Sequence, residues 1–417
     1  MYILTLILVI LLALLLFGQG IAVVGLVAAL RGWKRKRLED HECPKTAVIL
    51  CLRGLDPFLN QVIEALLEQD YPSYQVRIMV DSQQDPAWEL VHELIAADSK
   101  DVHVEALRQP RSSCSLKCSS LIQAVSALDD SYEVVAQLDA DTIPHKTWLR
   151  ELVAPLAKDD VAAVTGNRWY MPSQPTSGAM LRYLWNACAI IQMFWYRIAW
   201  GGTLAMKTSV IRKCGLIGKW GNAFCEDTML YEIFRKEGMR VEFVPSLMMV
   251  NRESCDVKGL FHWISRQLLT ARLYHPKFGS VAAHGVFITV VSAATIAVVV
   301  AAAIQQNLLL MFGVAGAWIV YELILTLYIF PMEKAVRNIV ASRGQPIHWV
   351  SGTTVAVGLY CVLALQIIYP LALLKAMFAR KVELRGLPYE IDRRGDIKML
   401  EYRQYQPSQA SDTNTSL

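Results

Sequence analysis

Charged residues are scarce in this chain of 417 residues. Asp, Glu, Lys and Arg make up 19% of the sequence and hydrophobic residues 54%, and the mean hydropathy is +0.32. Soluble globular domains carry about 25% charged residues, so the composition argues against an ordinary soluble enzyme. It favours a membrane protein with one soluble domain.

Paired cysteines and a basic surface pattern are also lacking. The nine cysteines are scattered without a CxxC pair or the spacing of zinc ligands, which predicts reduced thiols in a cytosolic domain. The formal net charge is only +4, and the basic residues are not interleaved with aromatic residues. Nucleic acid is therefore not an expected partner, and the basic clusters lie beside apolar segments instead.

A long apolar segment begins the chain. Residues 2–30 are nearly uncharged and long enough to span a bilayer. They lack the leading basic region and the cleavage site of a signal peptide. Positive charge marks the cytoplasmic side of a span, so we predict a membrane anchor at residues 1–31, with the following part in the cytoplasm. The basic residues that follow the anchor are Arg31, Lys34, Arg35, Lys36 and Arg37.

Three more apolar segments, each long enough to span a bilayer, lie at residues 281–304, 308–330 and 349–374. Basic residues in the loop 333–348 and in the tail from residue 378 predict that both are cytoplasmic. Three spans after a cytoplasmic domain would leave the tail on the other side. One of the three segments is therefore expected to be re-entrant or interfacial, and the sequence does not indicate which.

Short apolar strands alternate with amphipathic segments between about residues 45 and 248, a pattern typical of an α/β layer fold. Residues 46–52 and 74–80 are predicted strands. Another apolar run, residues 135–138, ends in Asp139-Ala140-Asp141. Because open α/β sheets bind ligands at the carboxyl ends of their strands, a binding site is expected there.

Asp139 and Asp141 are separated by a single residue. Carboxylate oxygens in this arrangement suit Mg²⁺ or Mn²⁺ carrying a diphosphate. An isolated Asp-x-Asp is more often an acidic turn at the end of a strand. The metal interpretation therefore depends on the other motifs of the chain.

Three other motifs follow, each with a simpler alternative. Gly201-Gly202-Thr203 lets the backbone approach a ligand closely, or is a turn that enters a strand. Glu226-Asp227 stands in the first turn of a predicted helix, where acids often do no more than interact with the helix dipole. Residues 261–274 form an amphipathic helix with Arg266 and Arg272, which could simply be attracted to lipid headgroups.

The order of these motifs over roughly residues 45–280 resembles that of family 2 membrane glycosyltransferases. The set comprises Arg53-Gly54, Asp81, Lys117, Asp139-Ala140-Asp141, Gly201-Gly202-Thr203, Glu226-Asp227 and the basic helix. Ceramide glucosyltransferases are the most similar members, because residues 52–91 carry Arg-Gly-Leu-Asp-Pro, Glu-Gln-Asp-Tyr-Pro and Asp-x-x-x-Asp-Pro. The resemblance implies a GT-A-like fold, a Rossmann-like mixed α/β sheet, with an N-terminal transmembrane helix and a C-terminal transmembrane or interfacial region.

The resemblance also implies a role for each motif. Asp227, with Glu226 beside it, would be the general base that takes the proton of the acceptor hydroxyl. Asp141 and Asp139 would coordinate Mg²⁺ or Mn²⁺. The donor would be bound by Arg53, Gly54, Asp81, Lys117, Asp139, Arg266 and Gln267. The acceptor would be bound by Gly201, Gly202, Thr203 and Trp263.

The sequence departs from the family in the basic motif (Q/R)xxRW. Its nearest counterpart is Trp263-Ile264-Ser265-Arg266-Gln267, in which Gln267 stands in place of the Trp. In processive synthases that Trp is associated with the acceptor end of the polymer. The departure therefore weakens the interpretation as a polymer synthase more than the interpretation as a lipid transferase.

We therefore expect an inverting transfer of a hexose, with glucose favoured, from a UDP-sugar to a hydroxyl of a membrane lipid such as ceramide. The alternatives are a processive polysaccharide synthase of the hyaluronan or cellulose synthase type, and an inactive membrane scaffold that keeps the fold. The predicted parts are the anchor 1–31, a glycosyltransferase domain 45–256, an interfacial helix 257–280, a membrane region 281–377 and a cytosolic tail 378–417 with a disordered end.

Overall fold

The structure is a computed structural model that describes residues 1–34, 37–95, 102–347, 352–392 and 395–405. Several predicted features lie outside these residues. They are Arg35 and Lys36 of the basic cluster, the start of the last apolar segment, and the tail end 406–417 that the sequence predicts to be disordered.

Seven strands form the main sheet of the soluble unit: β1 (Thr46–Leu52), β2 (Tyr74–Val80), β3 (Val102–Ala106), β4 (Val134–Leu138), β5 (Val161–Tyr170), β6 (Thr203–Lys207) and β7 (Arg240–Asn251). Their spatial order is β3-β2-β1-β4-β6-β5-β7. β1 is parallel to β2 and β4, whereas β6 is antiparallel to β4 and β5. This mixed sheet confirms the predicted GT-A-like α/β fold class.

The helices come from the soluble unit and from the apolar segments. They are α1 (Tyr2–Gly32), α2 (Leu59–Leu67), α3 (Pro86–Ile95), α4 (Leu116–Ser126), α5 (Trp148–Val153), α6 (Ser177–Tyr196), α7 (Thr208–Lys213), α8 (Leu216–Trp220), α9 (Leu230–Lys236), α10 (Val257–Tyr274), α11 (Phe278–Ile304), α12 (Leu308–Leu327), α13 (Ile329–Ala341) and α14 (Gly352–Phe378).

The main sheet is buried on both faces. In β1, Val48 and Leu50 belong to the hydrophobic cluster that contains α2, whereas Ile49 belongs to the cluster that contains α4. A strand covered on both faces needs apolar side chains at successive positions. This requirement explains why β1 has a continuous apolar sequence rather than an alternating one.

The predicted motifs lie together at one edge of the sheet. Because β1, β2 and β4 are parallel, the residues that follow them, Arg53, Asp81 and Asp139, emerge at the same edge. β6 runs the other way and begins there, with Thr203 paired to Leu138 of β4. Gly201 and Gly202 therefore reach this edge as well.

Within the part of the chain that the structure describes, four helical segments are long and apolar enough to cross a membrane: Tyr2–Gly32, Phe278–Ile304, Leu308–Ala341 and Thr354–Phe378. α1, α11 and α12 pack together through one hydrophobic cluster, to which they contribute Leu12, Val291 and Tyr321 respectively. Their other faces expose large apolar side chains. The chain is an integral membrane protein.

The tail folds back onto the soluble unit. It forms a three-stranded antiparallel sheet of β8 (Lys381–Leu384), β9 (Leu387–Ile391) and β10 (Ile397–Met399). The Met399 N–H donates to the Ser112 carbonyl (2.7 Å), and the Leu116 N–H donates to the Tyr389 hydroxyl (3.1 Å). The tail and the soluble unit therefore lie on the same side of the membrane.

Because of this contact, an even number of crossings must separate the soluble unit from the tail, so one of the three apolar segments is expected not to cross the bilayer. The chain before α14 and the end of α14 contact the soluble unit. Just before it, the Pro346 carbonyl accepts from Arg252 (2.6 Å), and at its end the Ala376 carbonyl accepts from Arg272 (2.7 Å). Cys361 and Ala372 pack with residues of α6 and α10. We therefore expect α14 to lie along the membrane surface, and α11 and α12 to cross.

We expect cysteines introduced at Gln305, between α11 and α12, and at Lys398, in β10, to react with a membrane-impermeant maleimide from opposite faces of a sealed vesicle. Both side chains are exposed. The measurement is the mass shift of each variant above that of the wild-type protein. If all three apolar segments crossed the bilayer, the two positions would instead react from the same face.

Candidate active site

Lys117 connects two acidic motifs at the sheet edge. It stands in the first turn of α4, where the Ser115 hydroxyl caps the helix by accepting from the Cys118 N–H (3.2 Å). Its Nζ lies 2.7 Å from Asp139 Oδ1 and 2.7 Å from Glu226 Oε1. Burial lowers the pKa of Lys117, but the two carboxylates outweigh burial and hold the pKa well above its usual value. Lys117 thus holds the end of β4 next to the Glu226-Asp227 segment.

Asp141 stands in an acidic environment. Burial and the charges of Asp139, Glu253 and Asp56 raise the pKa of Asp141 to about 7. The Asn251 amide donates to Asp141 Oδ2 (3.2 Å). Concentrated negative charge of this kind favours a bound cation.

The donor set suits Mg²⁺ or Mn²⁺. Within the residues that the structure describes, no three His, Cys, Asp or Glu side chains form a complete metal-binding group. A catalytic Mg²⁺ is commonly held by only one or two carboxylates and takes its other ligands from water and substrate phosphates. Asp139 and Asp141 fit that smaller requirement.

Asp227 is held in place by backbone groups. Its Oδ2 accepts from the Gly201 N–H (2.7 Å) and its Oδ1 accepts from the Thr228 N–H. The prediction that Glu226 and Asp227 occupy the first turn of a helix is wrong, because α9 begins only at Leu230. The preceding turn instead lets Glu226 reach Lys117 and lets Asp227 reach Gly201.

Gly201 and Gly202 are required by close contacts. A Cβ at Gly201 would overlap the Glu226 carboxylate, and one at Gly202 would lie 2.7 Å from Asp139 Oδ2. Thr203 has a different environment, since it is fully buried and its hydroxyl accepts from the Trp148 indole N–H. The structure thus places the two glycines beside the acids and the Thr203 side chain in the core.

The residues predicted to bind the nucleoside are also brought together. Arg53 forms an ion pair with the buried Asp81, and the Tyr402 hydroxyl donates to Asp81 Oδ1 (2.8 Å). Gly54 has a φ of +75°, and its N–H donates to Asp85 (2.8 Å). A nucleoside that binds Asp81 would therefore share this carboxylate with Arg53 and Tyr402.

A cavity of about 310 Å³ opens beside these motifs. Its polar part contains Asp139, Asp141 and Asp227, and its apolar part contains Met193 of α6 and Val281 of α11. Nine of the predicted site residues line it: Arg53, Lys117, Asp139, Asp141, Glu226, Asp227, Trp263, Arg266 and Gln267. The other predicted residues, Gly54, Asp81, Gly201, Gly202 and Thr203, are not part of this lining.

Besides Arg53, three arginines from different parts of the chain line the same cavity: Arg168 of β5, Arg266 of α10 and Arg385 of the tail. The Arg168 guanidinium lies 4.7 Å from the centre of the Trp263 ring and donates to Gln267 Oε1 (3.0 Å). Burial, together with the charges of Arg385 and Arg168, lowers the pKa of Arg266 to about 10. Cations this close to one another favour a bound anion.

Several residues of this cavity were not predicted from the sequence. Arg168 follows a short apolar run at residues 161–164, and the sequence does not indicate that β5 continues through it to Tyr170. Arg385 and Gly386 lie between two short alternating segments, which is a hairpin signal. Glu253 follows β7 and carried no sequence signal of its own.

Among solved structures, 227 chains are similar to this one. A mannosyltransferase from Pyrobaculum calidifontis (PcManGT), in complex with GDP-Man and Mn²⁺, is 15% identical over 89% of this chain and 99% of that chain, with a TM-score of 0.47. Glucosyl-3-phosphoglycerate synthase from Mycobacterium tuberculosis, in complex with Mn²⁺, UDP-Glc and phosphoglyceric acid, is 14% identical over 57% of this chain and 84% of that chain, with a TM-score of 0.37.

No curated protein matches the chain. The sequence model of glycosyl transferase family 21, in contrast, matches residues 10–397 and so covers nearly the whole chain. This match confirms the predicted class, a glycosyltransferase, while specificity for ceramide remains a prediction. The protein belongs to glycosyl transferase family 21.

Proposed function

We propose that the protein transfers a hexose, with glucose favoured, from a UDP-sugar to a hydroxyl of a membrane lipid such as ceramide. The observation that carries this proposal is the composition of the cavity. Acids and arginines line one part of it, and apolar side chains of α6 and of the membrane helix α11 line another. A charged donor and a lipid acceptor can therefore meet in one space.

The polar part would hold the donor. Asp141 and Asp139 would coordinate Mg²⁺ or Mn²⁺, which when bound neutralises charge on the departing diphosphate. Arg266 would donate to the same oxygens, as guanidinium groups do in bidentate contacts with phosphate. Arg53 and Asp81 would contact the nucleoside. Lys117 would act through the two acids that it joins, since its Nζ already contacts both.

Asp227 would accept the proton of the acceptor hydroxyl. Lys117 forms an ion pair with Glu226, whereas the donors on Asp227 are N–H and hydroxyl groups of Gly201 and Thr228. Because the ion pair with Lys117 occupies Glu226, we assign the role of base to Asp227. The hydroxyl would attack the anomeric carbon from the face opposite the diphosphate, so that an α-linked donor gives a β-glycoside.

The apolar part would hold the lipid. Trp185, Ala189 and Met193 of α6 line it together with Val281 near the start of α11. α14 packs against α6 and α10 and exposes Leu363, among other large apolar side chains, on its other face. A lipid in the bilayer could therefore reach the cavity without leaving the membrane. Arg31, in the last turn of α1, and Lys34, which follows the helix, favour a cytoplasmic location of this site.

The test is to incubate membranes that contain the protein with labelled UDP-glucose, UDP-galactose and UDP-N-acetylglucosamine, together with Mn²⁺, and to extract the products. The proposal predicts label from one of these donors in a lipid that carries a single sugar. A water-soluble polymer would instead support a processive polysaccharide synthase. If purified protein neither binds nor hydrolyses any UDP-sugar, an inactive scaffold is the better description.

A further inference from the structure

Arg385 occupies the tip of a tight hairpin in the tail. Leu384 of β8 pairs with Leu387 of β9, so Arg385 and Gly386 are the two turn residues. Their φ angles are +50° and +76°, as a two-residue turn of type I′ requires. Gly386 adopts this conformation readily, whereas arginine seldom does. The hairpin thus holds Arg385 at a fixed position where few sequences would place an arginine.

The contacts of the hairpin place this arginine in the cavity wall. The Arg385 Nη2 lies 2.7 Å from Asp56 Oδ1, and its Nη1 donates to the Arg53 carbonyl (3.1 Å). The Arg53 Nε in turn donates to the Arg385 carbonyl (2.9 Å). The turn is therefore fastened to the loop that follows β1, beside the residues predicted to bind the donor.

The guanidinium has more donors than these contacts use. Within the described residues, its hydrogen bonds use one N–H of Nη1 and one of Nη2, and a guanidinium carries five N–H groups. Arg385 also lines the cavity together with Arg266 and Asp141. Burial lowers the pKa of Arg385, but Asp56, Asp141 and Glu253 outweigh burial and raise the pKa. The group therefore stays charged.

We propose that Arg385 is a further donor-binding residue, whose guanidinium contacts the diphosphate of the nucleotide sugar, so that the hairpin of the tail completes the donor site. This inference rests on the proposed function, because that function supplies the nucleoside diphosphate. A planar guanidinium with two or more N–H groups available suits diphosphate oxygens.

The test compares UDP and uridine as competitors of a fluorescent UDP-sugar analogue on the purified full-length protein. Replacing Arg385 by Gln should weaken UDP binding by about 10- to 100-fold, as expected for a lost charge-assisted contact. Binding of uridine, which has no phosphate, should change by less than about 3-fold. Arg385→Lys, which keeps the charge and loses the planar fork, should give an intermediate loss.

Asp56→Asn is the matched control, because it breaks the same ion pair and leaves the guanidinium in place. It should keep its affinity for UDP, even if both variants unfold at a lower temperature. Lys381→Gln, at an exposed position of the same hairpin, should bind like the wild-type protein. Equal losses of UDP affinity in Arg385→Gln and Asp56→Asn would show that Arg385 only fastens the tail, and an unchanged affinity in Arg385→Gln would also overturn the inference.

The wild-type protein separates this inference from the proposed function. If it binds GDP rather than UDP, the UDP-sugar proposal fails, and the same comparison with GDP and guanosine decides the role of Arg385. If it binds no nucleoside diphosphate at all, both proposals fail together.

Discussion

Replacement of Asp227 by Asn is expected to lower the rate of sugar transfer by about 10²–10⁴-fold, the range that a positioned general base contributes. Asparagine keeps the size of the side chain and can still accept the hydrogen bond from the Gly201 N–H, but it cannot take a proton. Binding of the UDP-sugar should stay within a few-fold of the wild-type value, because Asp227 is not among the residues proposed to hold the donor. The measurements are the initial rate of lipid glycosylation and the donor dissociation constant.

Asp159→Asn provides the control for this substitution, since Asp159 is exposed and lies outside the cavity lining. It should transfer sugar at the wild-type rate. Glu226→Gln is a useful comparison because it breaks the ion pair with Lys117 and should therefore affect stability as well as rate. Transfer at the wild-type rate in Asp227→Asn would exclude Asp227 as the base.

Replacement of Asp141 by Asn should lower the transfer rate by about 10²-fold or more, because a bound cation contributes several kcal/mol of charge stabilisation in the transition state. It should also weaken the dependence of UDP binding on Mn²⁺. The fold should not be destabilised, since Asp139, Glu253 and Asp56 surround the Asp141 carboxylate with negative charge and a neutral amide relieves that repulsion.

The informative readout for Asp141→Asn is the separation of activity from stability. The transfer rate and the Mn²⁺ dependence should fall while the melting temperature stays at or above that of the wild-type protein. Asp159→Asn again serves as the control and should change none of the three. Normal Mn²⁺-dependent transfer in Asp141→Asn would remove this residue from the metal site.

Motifs at the ends of strands were predictable because parallel strands bring their carboxyl ends to one edge. Short apolar runs located β1, β2 and β4, and the polar residues after them could be assigned to one site without knowledge of the packing. Arg53 and Asp81 form an ion pair, as this logic implies, and Lys117 and Glu226 join Asp139 at the same edge. Their pairing was not predictable, because which acid a lysine contacts depends on the turn between residues 221 and 229.

Features that depend on contacts between distant segments were not predictable. Arg385 and Tyr402 reach Asp56 and Asp81 across more than 300 residues, and no local pattern links them. The same applies to α14. Its apolar sequence is long enough to span a bilayer, although the chain before it and its last turn contact the soluble unit. Hydropathy measures whether a helix tolerates lipid, and it does not distinguish a helix that crosses the bilayer from one that lies along its surface.

The most direct test of the proposed transfer uses the full-length protein in lipid nanodiscs that contain ceramide, supplied with UDP-glucose and Mn²⁺. Proton NMR of the extracted lipid gives the number of sugars and the anomeric configuration in one measurement. We predict a single glucose joined to ceramide by a β-linkage. An α-linked product would contradict inversion with Asp227 as the base, and a soluble polymer, or free glucose without glycolipid, would contradict transfer to a membrane lipid.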